Sequence, residues 1–308
     1  MSKIAFIFPG QGAQICGMGQ DFYEQTETAK EIFDKASEIL GFSMPELCFE
    51  KNDRLDITEY TQPAMVTASI AMMKVFMERT GITPSVAAGL SLGEYPAMAA
   101  AGVMSAEDAI RTVRQRGILM QEAVPAGVGA MSAVLAMDGE KIEEVIAPID
   151  GVQIANYNCP GQIVISGKKE AVDEPAVKLK EAGAKRVLPL NVSGPFHSSL
   201  LEEAGEKLGE VLAQVEVHTP VIPYIANVTA GYVTDAGDVK PLLIKQVSSS
   251  VRWEQSIRRM LEDGVDTFIE IGPGRTLTGF MKKIDRNAKA MNIEKLEDIE
   301  KVKEALGC

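Results

Sequence analysis

The chain has 308 residues, of which 46% are hydrophobic and 24% are charged, and its formal net charge is −12. This composition is typical of a globular protein of about two domains, and the negative charge argues against a nucleic-acid partner. No apolar run approaches the ~18 residues of a membrane span, and the cysteines lack metal-site spacing, so we expect no membrane segment, no metal and a cytoplasmic protein with reduced thiols.

The first part of the chain alternates between strand and helix patterns. A buried strand is predicted at 3–8, followed by a glycine-rich loop and by helices at about 21–40 and 63–80. A second strand at 85–89 leads directly into a helix that begins at Ser91. Such alternation predicts an α/β fold with a mostly parallel sheet covered by helices.

Ser91 lies at that second strand–helix junction, in the sequence GLSLG. The pattern GxSxG at such a junction is typical of a nucleophile elbow, in which the glycines permit a tight turn and the serine hydroxyl projects from the end of the sheet. The N–H of Leu92 and the helix N-terminus would then face an oxyanion formed there. The alternative is a glycine-rich turn in which the serine only caps the helix.

A long helix predicted at about 105–123 carries Arg116 on its apolar face, whereas Arg111 and Arg114 are predicted to be solvated. The apolar residues that share this face at helical spacing are Ala109, Val113, Met120 and Ala123. A guanidinium on such a face requires an anionic partner or a route to solvent. Three interpretations remain open: a salt bridge to a buried acid, an arginine that reaches the helix edge, and a fork that binds a substrate carboxylate.

The middle of the chain has a different order of elements. Four strand patterns and two helix patterns follow one another as βαββαβ, which predicts a small ferredoxin-like subdomain at 127–190. The α/β pattern resumes afterwards, up to a surface helix predicted in the charged stretch from Asn292. The larger domain is therefore expected to be discontinuous, comprising residues 1–126 and 191–308.

A serine nucleophile needs a base, and the chain has only two histidines. His218 lies in a polar entry into a strand and is interpreted as structural. His197 follows a Gly-Pro loop at the end of a strand and precedes a helix predicted from about Ser198. Loops at strand ends are where α/β proteins build their sites, so His197 is the predicted base.

Eight segments, in order along nearly the whole chain, resemble the malonyl-CoA:acyl carrier protein transacylases of bacterial fatty acid synthesis and the related acyltransferase domains of polyketide synthases. The segments are FPGQGAQ near the start, TQPA at 61–64, GLSLGEY at the elbow, QRGILMQEAVPAGVGAM at 115–131, NYNCPGQIVISG at 156–167, GPFHS at 194–198, VRWEQSI at 251–257 and EIGPGRTLTG at 270–279. The resemblance implies an α/β-hydrolase-like large domain interrupted by a ferredoxin-like (βαββαβ) small subdomain.

Carried over by position, the resemblance implies a role for each matching residue. Ser91 would be the nucleophile and His197 its base, oriented by the main-chain carbonyl of Gln246 rather than by an aspartate. Arg116 would bind the free carboxylate of the malonyl group. Phe196 matches the malonyl-selective pattern, because a ring there would crowd a methyl branch on the substrate.

Three further features concern the oxyanion hole, Leu90 and a pair of lysines. The N–H groups of Gln11 and Leu92 would form the oxyanion hole. Leu90 is a departure, since much of the family has histidine there, and this leaves open only what that histidine contributes. The basic residues Lys282 and Lys283 could dock an acidic carrier protein or could simply form a solvated helix face.

The implied function is transfer of a malonyl group from malonyl-CoA to the phosphopantetheine thiol of acyl carrier protein, through a malonyl-serine intermediate and without a cofactor. Malonyl-CoA and acyl carrier protein would be the partners, and we expect a monomer. Three alternatives remain: a stand-alone acyltransferase for a polyketide synthase, a serine thioesterase or esterase, and a catalytically silent module that binds carrier protein.

Overall fold

The protein is described from a computed structural model. The described residues are 2–125, 127–190, 192 and 194–307. The predicted domain boundaries at residues 126 and 191, and the chain ends at 1 and 308, lie outside the described residues.

The strands form two separate sheets. Numbered along the chain, they are β1 (Ile4–Phe8), β2 (Val86–Gly89), β3 (Gly129–Leu135), β4 (Val152–Cys159), β5 (Gln162–Lys168), β6 (Arg186–Pro189), β7 (Tyr224–Ala226), β8 (Gly231–Val233), β9 (Thr267–Ile271) and β10 (Lys289–Ile293).

The α-helices flank these sheets, and short 3₁₀ turns lie at 54–56, 91–93 and 199–201. Numbered along the chain, the helices are α1 (Gln20–Gln25), α2 (Glu27–Leu40), α3 (Met44–Phe49), α4 (Thr58–Thr80), α5 (Glu94–Ala100), α6 (Ala106–Glu122), α7 (Gly139–Ile146), α8 (Lys169–Asp173), α9 (Pro175–Glu181), α10 (Glu202–Ala213), α11 (Ala236–Gln246), α12 (Trp253–Glu262), α13 (Thr276–Ile284) and α14 (Asp298–Leu306).

The larger sheet has the strand order β10-β9-β1-β2-β7-β8, and all its neighbouring pairs are parallel except β7–β8. Its central strand β1 is buried on both faces. Phe6 and Phe8 point into one core cluster, whereas Ala5 and Ile7 point into the other. This alternation follows from the period of two in a strand, and it confirms the predicted sheet covered by helices on both sides.

The smaller sheet is antiparallel, with the order β4-β5-β3-β6. Its strands and helices follow the chain as β3, α7, β4, β5, α8–α9 and β6, which is the βαββαβ connectivity predicted from the sequence. The second helix predicted in this subdomain is divided into α8 and α9 because Pro175, which cannot donate a backbone N–H, takes the first position of α9.

Helix α4 begins at Thr58, five residues before the predicted start, and Pro63 lies inside it. Proline leaves the carbonyl four residues earlier without its helical donor. Here that carbonyl, of Glu59, accepts a hydrogen bond from Arg114 Nη1 at 2.6 Å, and the Arg114 side chain also pairs with the Glu59 carboxylate. The prediction that Arg114 is solvated was therefore wrong: its guanidinium compensates for the proline and stacks on the Tyr60 ring.

The C-terminal stretch also differs from the prediction of one surface helix from Asn292. Residues 289–293 form the edge strand β10, and the helix starts only at Asp298. The strand pairs in parallel with β9, and Ile299 and Val302 of α14 are buried. Among the described residues, no helix has the length and apolar character needed to cross a membrane.

Candidate active site

The turn between β2 and α5 admits only glycine on either side of Ser91. A Cβ atom on Gly89 would lie 1.9 Å from the carbonyl oxygen of Gly93, and one on Gly93 would lie 2.1 Å from the carbonyl oxygen of Phe8. Ser91 itself has φ = 51°, in the left-handed region that non-glycine residues rarely adopt. This strained geometry is that of a nucleophile elbow.

Asn227, which follows β7, holds the elbow in place. Its Oδ1 accepts from the Ser91 N–H at 2.6 Å, and its Nδ2 donates to the Gly89 carbonyl at 2.6 Å. These bonds satisfy backbone groups that the sharp turn removes from regular hydrogen bonding. Sequence reasoning missed Asn227, because nothing in the local sequence indicates that it contacts a turn 136 residues away.

The structure brings Ser91 and His197 into direct contact, with Oγ and Nε2 separated by 2.7 Å. On the other side of the ring, Nδ1 lies 2.8 Å from the carbonyl oxygen of Gln246 and 3.2 Å from that of Ser249. Because carbonyls only accept hydrogen bonds, Nδ1 carries the proton and Nε2 is left to accept from the serine hydroxyl.

His197 is uncharged at neutral pH. Burial of the ring, followed by the nearby positive charge of Arg116, lowers the pKa of His197 to about 4. His218, in contrast, is exposed near Glu216 and does not line the cavity described below. The two histidines therefore differ in burial and in position relative to the cavity, and the role of His197 as the base stays a prediction.

Arg116 is only 1% exposed, yet its hydrogen-bond partners are neutral oxygens. Nη1 donates to Gln62 Oε1 at 3.0 Å, and Nη2 donates to Gln246 Oε1 at 2.9 Å and to Ser91 Oγ at 3.3 Å. Its Nε has no hydrogen-bond partner, and within the described part of the chain it forms no ion pair. Neither the salt bridge nor the exposed arginine considered from the sequence is what the structure shows.

A cavity of about 680 Å³ opens onto this constellation. The predicted site residues that line it are Gln11, Ser91, Leu92, Arg116, Phe196 and His197, together with Leu90. The small sheet contributes Asn156 and Asn158 to the lining. The cavity is thus shared between the two sheets, which is how residues distant in sequence come to face the same space.

Gln246 lies behind the cavity and not in its lining, with both its carbonyl and its side chain directed at the site. Lys282 and Lys283 are exposed on α13, the helix whose Thr276 and Phe280 line the cavity. Lys283 Nζ donates to Gln162 Oε1 of the small sheet at 3.2 Å. The two lysines are therefore on the helix that borders the cavity, and the structure does not bring them to the reacting atoms.

Comparison with known proteins places this geometry in a family. The family model described as "Acyl transferase domain" matches residues 5–301. The chain belongs to the acyl transferase domain family. The predicted family and enzyme class are thereby confirmed.

Individual relatives agree with this assignment. The chain is 50% identical to the malonyl CoA-acyl carrier protein transacylase of Bacillus subtilis (strain 168) over 305 residues, covering 97% of this chain and 96% of the relative. It is similar to the crystal structure of the corresponding transacylase from Clostridium perfringens, with a TM-score of 0.96 and 42% identity over 99% and 98% of the two chains.

A second similar structure shows a malonyl-transacylase in complex with its type II PKS acyl carrier protein. The TM-score is 0.95 and the identity is 39%, over 99% of this chain and 100% of that one. These matches extend over both sheets, and they confirm the predicted acyltransferase fold with its α/β-hydrolase-like architecture.

Proposed function

We propose that this acyltransferase moves a malonyl group from malonyl-CoA to the phosphopantetheine thiol of acyl carrier protein through a malonyl-serine intermediate. The observation that carries the proposal is Arg116, a buried cation 3.3 Å from Ser91 Oγ with only neutral partners. A free carboxylate on the acyl group supplies the missing anion and matches the planar guanidinium. The names of the relatives support the same substrate and acceptor.

In the first half-reaction, His197 Nε2 takes the proton of Ser91 Oγ while Oγ attacks the thioester carbonyl of malonyl-CoA. The N–H groups of Gln11 and Leu92 stabilise the tetrahedral oxyanion. When the intermediate collapses, the C–S bond breaks and His197 returns the proton to the sulfur of CoA. A malonyl ester on Ser91 remains.

In the second half-reaction, the carrier thiol gives its proton to His197 and attacks the ester carbonyl. The C–O bond then breaks, and Ser91 recovers its proton from His197. The kinetics are therefore ping-pong. Nucleophile, base and oxyanion donors all come from the chain itself and no electrons are transferred, so we propose that the reaction uses no cofactor.

Phe196 is proposed to limit the size of the acyl group. Its side chain lies in the cavity lining beside His197. A ring at this position leaves little room for a methyl branch at the carbon between the thioester carbonyl and the free carboxylate of the substrate. This favours malonyl over methylmalonyl.

Acyl carrier protein is proposed to dock near Lys282 and Lys283. These cations are exposed on the helix that borders the cavity, in a protein whose net charge is −12. An acidic partner is repelled by the whole chain, so that local positive charge decides where it binds. We further propose that the enzyme is a monomer and that it is cytoplasmic. The free thiols of Cys16, Cys48 and Cys159 support the second proposal, because thiols persist in a reducing compartment.

The pathway served by the enzyme has two candidates. The resemblance favours fatty acid synthesis, whereas the similar complex with a type II PKS carrier protein favours a polyketide synthase. Comparing kcat/KM for a fatty acid carrier protein and a polyketide carrier protein from the source organism separates the two.

The test of the central proposal is to incubate the enzyme with malonyl-CoA and measure the intact mass with and without acyl carrier protein. We expect a malonyl adduct on Ser91 that disappears on addition of carrier protein as malonyl-carrier appears. Release of free malonate at the same rate without carrier protein would instead identify a thioesterase. No adduct at all would indicate a module that only binds carrier protein.

A further inference from the structure

The first residue of α5, Glu94, is a buried acid that the mechanism above does not use. It directly follows the elbow and is 1% exposed. Within the described part of the chain, no lysine or arginine forms an ion pair with it. Its contacts are instead to two residues that hold the reactive groups.

One carboxylate oxygen of Glu94 joins these two residues. Oε2 accepts from the backbone N–H of Asn227 at 3.0 Å and from Nε2 of Gln246 at 2.7 Å. Asn227 in turn clamps the N–H of Ser91 and the carbonyl of Gly89. Through Asn227, the carboxylate is therefore connected to the Gly89 carbonyl before Ser91 and to the N–H of Ser91 itself.

Gln246 connects the same carboxylate to the other reactive groups. Its Oε1 accepts from Arg116 Nη2 at 2.9 Å, its Nε2 also donates to the Ser91 carbonyl at 3.0 Å, and its main-chain carbonyl accepts from His197 Nδ1 at 2.8 Å. A cation on one side and an acid on the other determine which way the amide faces. The reverse orientation would place NH₂ against the guanidinium and the amide oxygen against the carboxylate.

We infer that Glu94 is a positioning residue that holds Ser91, His197 and Arg116 in mutual register through Asn227 and Gln246. This inference rests on the proposed function only in that Ser91 and His197 carry out the chemistry. Glu94 touches neither of them through its side chain, and its effect on the reaction passes through the two amides. Its loss should therefore lower the reactivity of Ser91 toward any acylating agent, not only toward malonyl-CoA.

The charge of Glu94 is expected to matter near neutral pH. Burial raises its pKa to about 7, against the lowering effects of the bonds from Gln246 and Asn227 and of the Arg116 charge. The other groups that face it do not titrate between about pH 5 and 9: Arg116 stays charged, Tyr95 and Tyr224 stay neutral because burial raises their pKa values, and the pKa of His197 is about 4. The ionised carboxylate is the stronger acceptor, so its hold on Gln246 weakens as the pH falls through 7.

The experiment measures the rate at which a fluorophosphonate labels Ser91, which requires an activated serine but no malonyl group. The variants are Glu94→Gln and Glu94→Ala, with Ser91→Ala as the blank. Glu270→Gln is the matched control, because Glu270 is also a fully buried acid with a raised pKa but bonds to the start of α13. Melting temperatures are recorded for all variants.

We expect the wild-type labelling rate to rise between about pH 6 and 8, and Glu94→Gln to remove this rise while labelling about tenfold more slowly at high pH. Glu94→Ala should label about 100-fold more slowly, and Glu270→Gln should keep the wild-type pH profile. The near-isosteric Glu94→Gln should keep the wild-type melting temperature. An unchanged melting temperature together with a changed pH profile distinguishes a positioning role from a merely structural one.

A wild-type pH profile in Glu94→Gln, or labelling of folded Glu94→Ala within twofold of wild type, would overturn the inference. If Glu94→Ala does not fold, the pH profile of Glu94→Gln decides alone. Incubation of the wild type with malonyl-CoA in parallel keeps the two proposals apart. Glu94-dependent labelling without a malonyl adduct would reject the proposed substrate and leave the positioning role intact.

Discussion

At the scale of single residues, the site combines a neutral histidine and a cation without a direct anionic partner in one buried space. His197 stays neutral because burial and Arg116 both disfavour its protonated form. Arg116 has no anion in direct contact, because its side chain donates to the amide oxygens of Gln62 and Gln246, and the Glu94 carboxylate is reached only through Gln246. A substrate carboxylate would compensate the charge of Arg116 and so reduce the penalty on the imidazolium that forms during catalysis.

The first prediction concerns the nucleophile and its base. Ser91→Ala should form no malonyl-enzyme, and His197→Ala should acylate about 10³-fold or more slowly, because an unactivated hydroxyl is a poor nucleophile at neutral pH. His218→Ala is the control and should acylate at the wild-type rate. Rapid-quench measurement of CoA release checks this, and equal damage from the two histidine variants would contradict the assignment of the base.

The second prediction concerns substrate class. Arg116→Ala should lower kcat/KM for malonyl-CoA by about 30- to several-thousand-fold, which corresponds to 2–5 kcal/mol for removing one partner of a buried charged pair. Acetyl-CoA has no carboxylate and should not lose activity by the same change. Arg116→Lys should restore only part of the malonyl activity, since an ammonium lacks the planar fork.

The informative quantity for Arg116 is the ratio of kcat/KM for malonyl-CoA to that for acetyl-CoA. If kcat/KM fell by the same factor for malonyl-CoA and acetyl-CoA, Arg116 would be a structural residue. Ser91 must still be acylated in the variant, which intact mass spectrometry with acetyl-CoA verifies.

The third prediction links the pKa of His197 to stability. The folded-state pKa of about 4 lies below the ordinary histidine value of 6.5, so the unfolded chain binds the proton first as the pH falls. The stability contributed by neutral His197 is therefore complete above pH 6.5 and is lost between 6.5 and 4, by up to about 3 kcal/mol. Urea unfolding of wild type and His197→Gln should show their difference shrinking over this range, and a constant difference would refute the lowered pKa.

At the scale of elements, the elbow depends on close approach between strand and helix. Gly89→Ala and Gly93→Ala place a methyl group about 2 Å from backbone atoms that belong to β1, the turn and α5. Each should reduce the free energy of unfolding by about 1–3 kcal/mol or more and displace Ser91. Gly279→Ala is the matched control, since its added Cβ meets no atom within 4 Å and alanine favours the helix. Chemical denaturation and Ser91 labelling measure both effects, and wild-type stability with full labelling would contradict the prediction.

Helix α13 is the element predicted to engage carrier protein. Reversing charge at Lys282 and Lys283 to Glu should raise KM for acyl carrier protein several-fold and leave KM for malonyl-CoA unchanged. Reversal of Lys30 and Lys35, which are exposed on α2, changes the net charge equally and serves as the control. If KM for acyl carrier protein rose equally in the Lys282/Lys283 and the Lys30/Lys35 double variants, the effect would come from the total charge of the enzyme and not from a docking site.

At the scale of the whole molecule, the site lies where the two sheets meet. Ser91 follows β2 of the larger sheet, Arg116 lies on α6, and His197 lies between β6 of the smaller sheet and α10. Strand β4 contributes Asn156 and Asn158 to the lining of the same cavity. The division into a domain of residues 1–126 and 191–308 and a subdomain of 127–190 stays a prediction. It is supported by the strands of the smaller sheet, which all fall within 129–189.

The amino-acid sequence by itself determined the features that depend on local geometry. Steric limits on the turn required glycines around Ser91, helical periodicity put Arg116 on a buried face, and alternating patterns predicted both sheets. The fold predicted on this basis is confirmed, and so is the family, which was predicted from the resemblance of eight segments. The roles of the site residues stay predictions.

Tertiary structure alone decided the contacts between distant segments. Glu94 meets Asn227 and Gln246 across 133 and 152 residues, and Arg114 reaches the carbonyl that Pro63 leaves without a donor. Likewise, residues 289–293 form strand β10 because they pair in parallel with β9 at the edge of the larger sheet. The physical reason is that a polar group, once buried, needs a partner, but which partner it finds depends on how the elements pack and not on its neighbours in the chain.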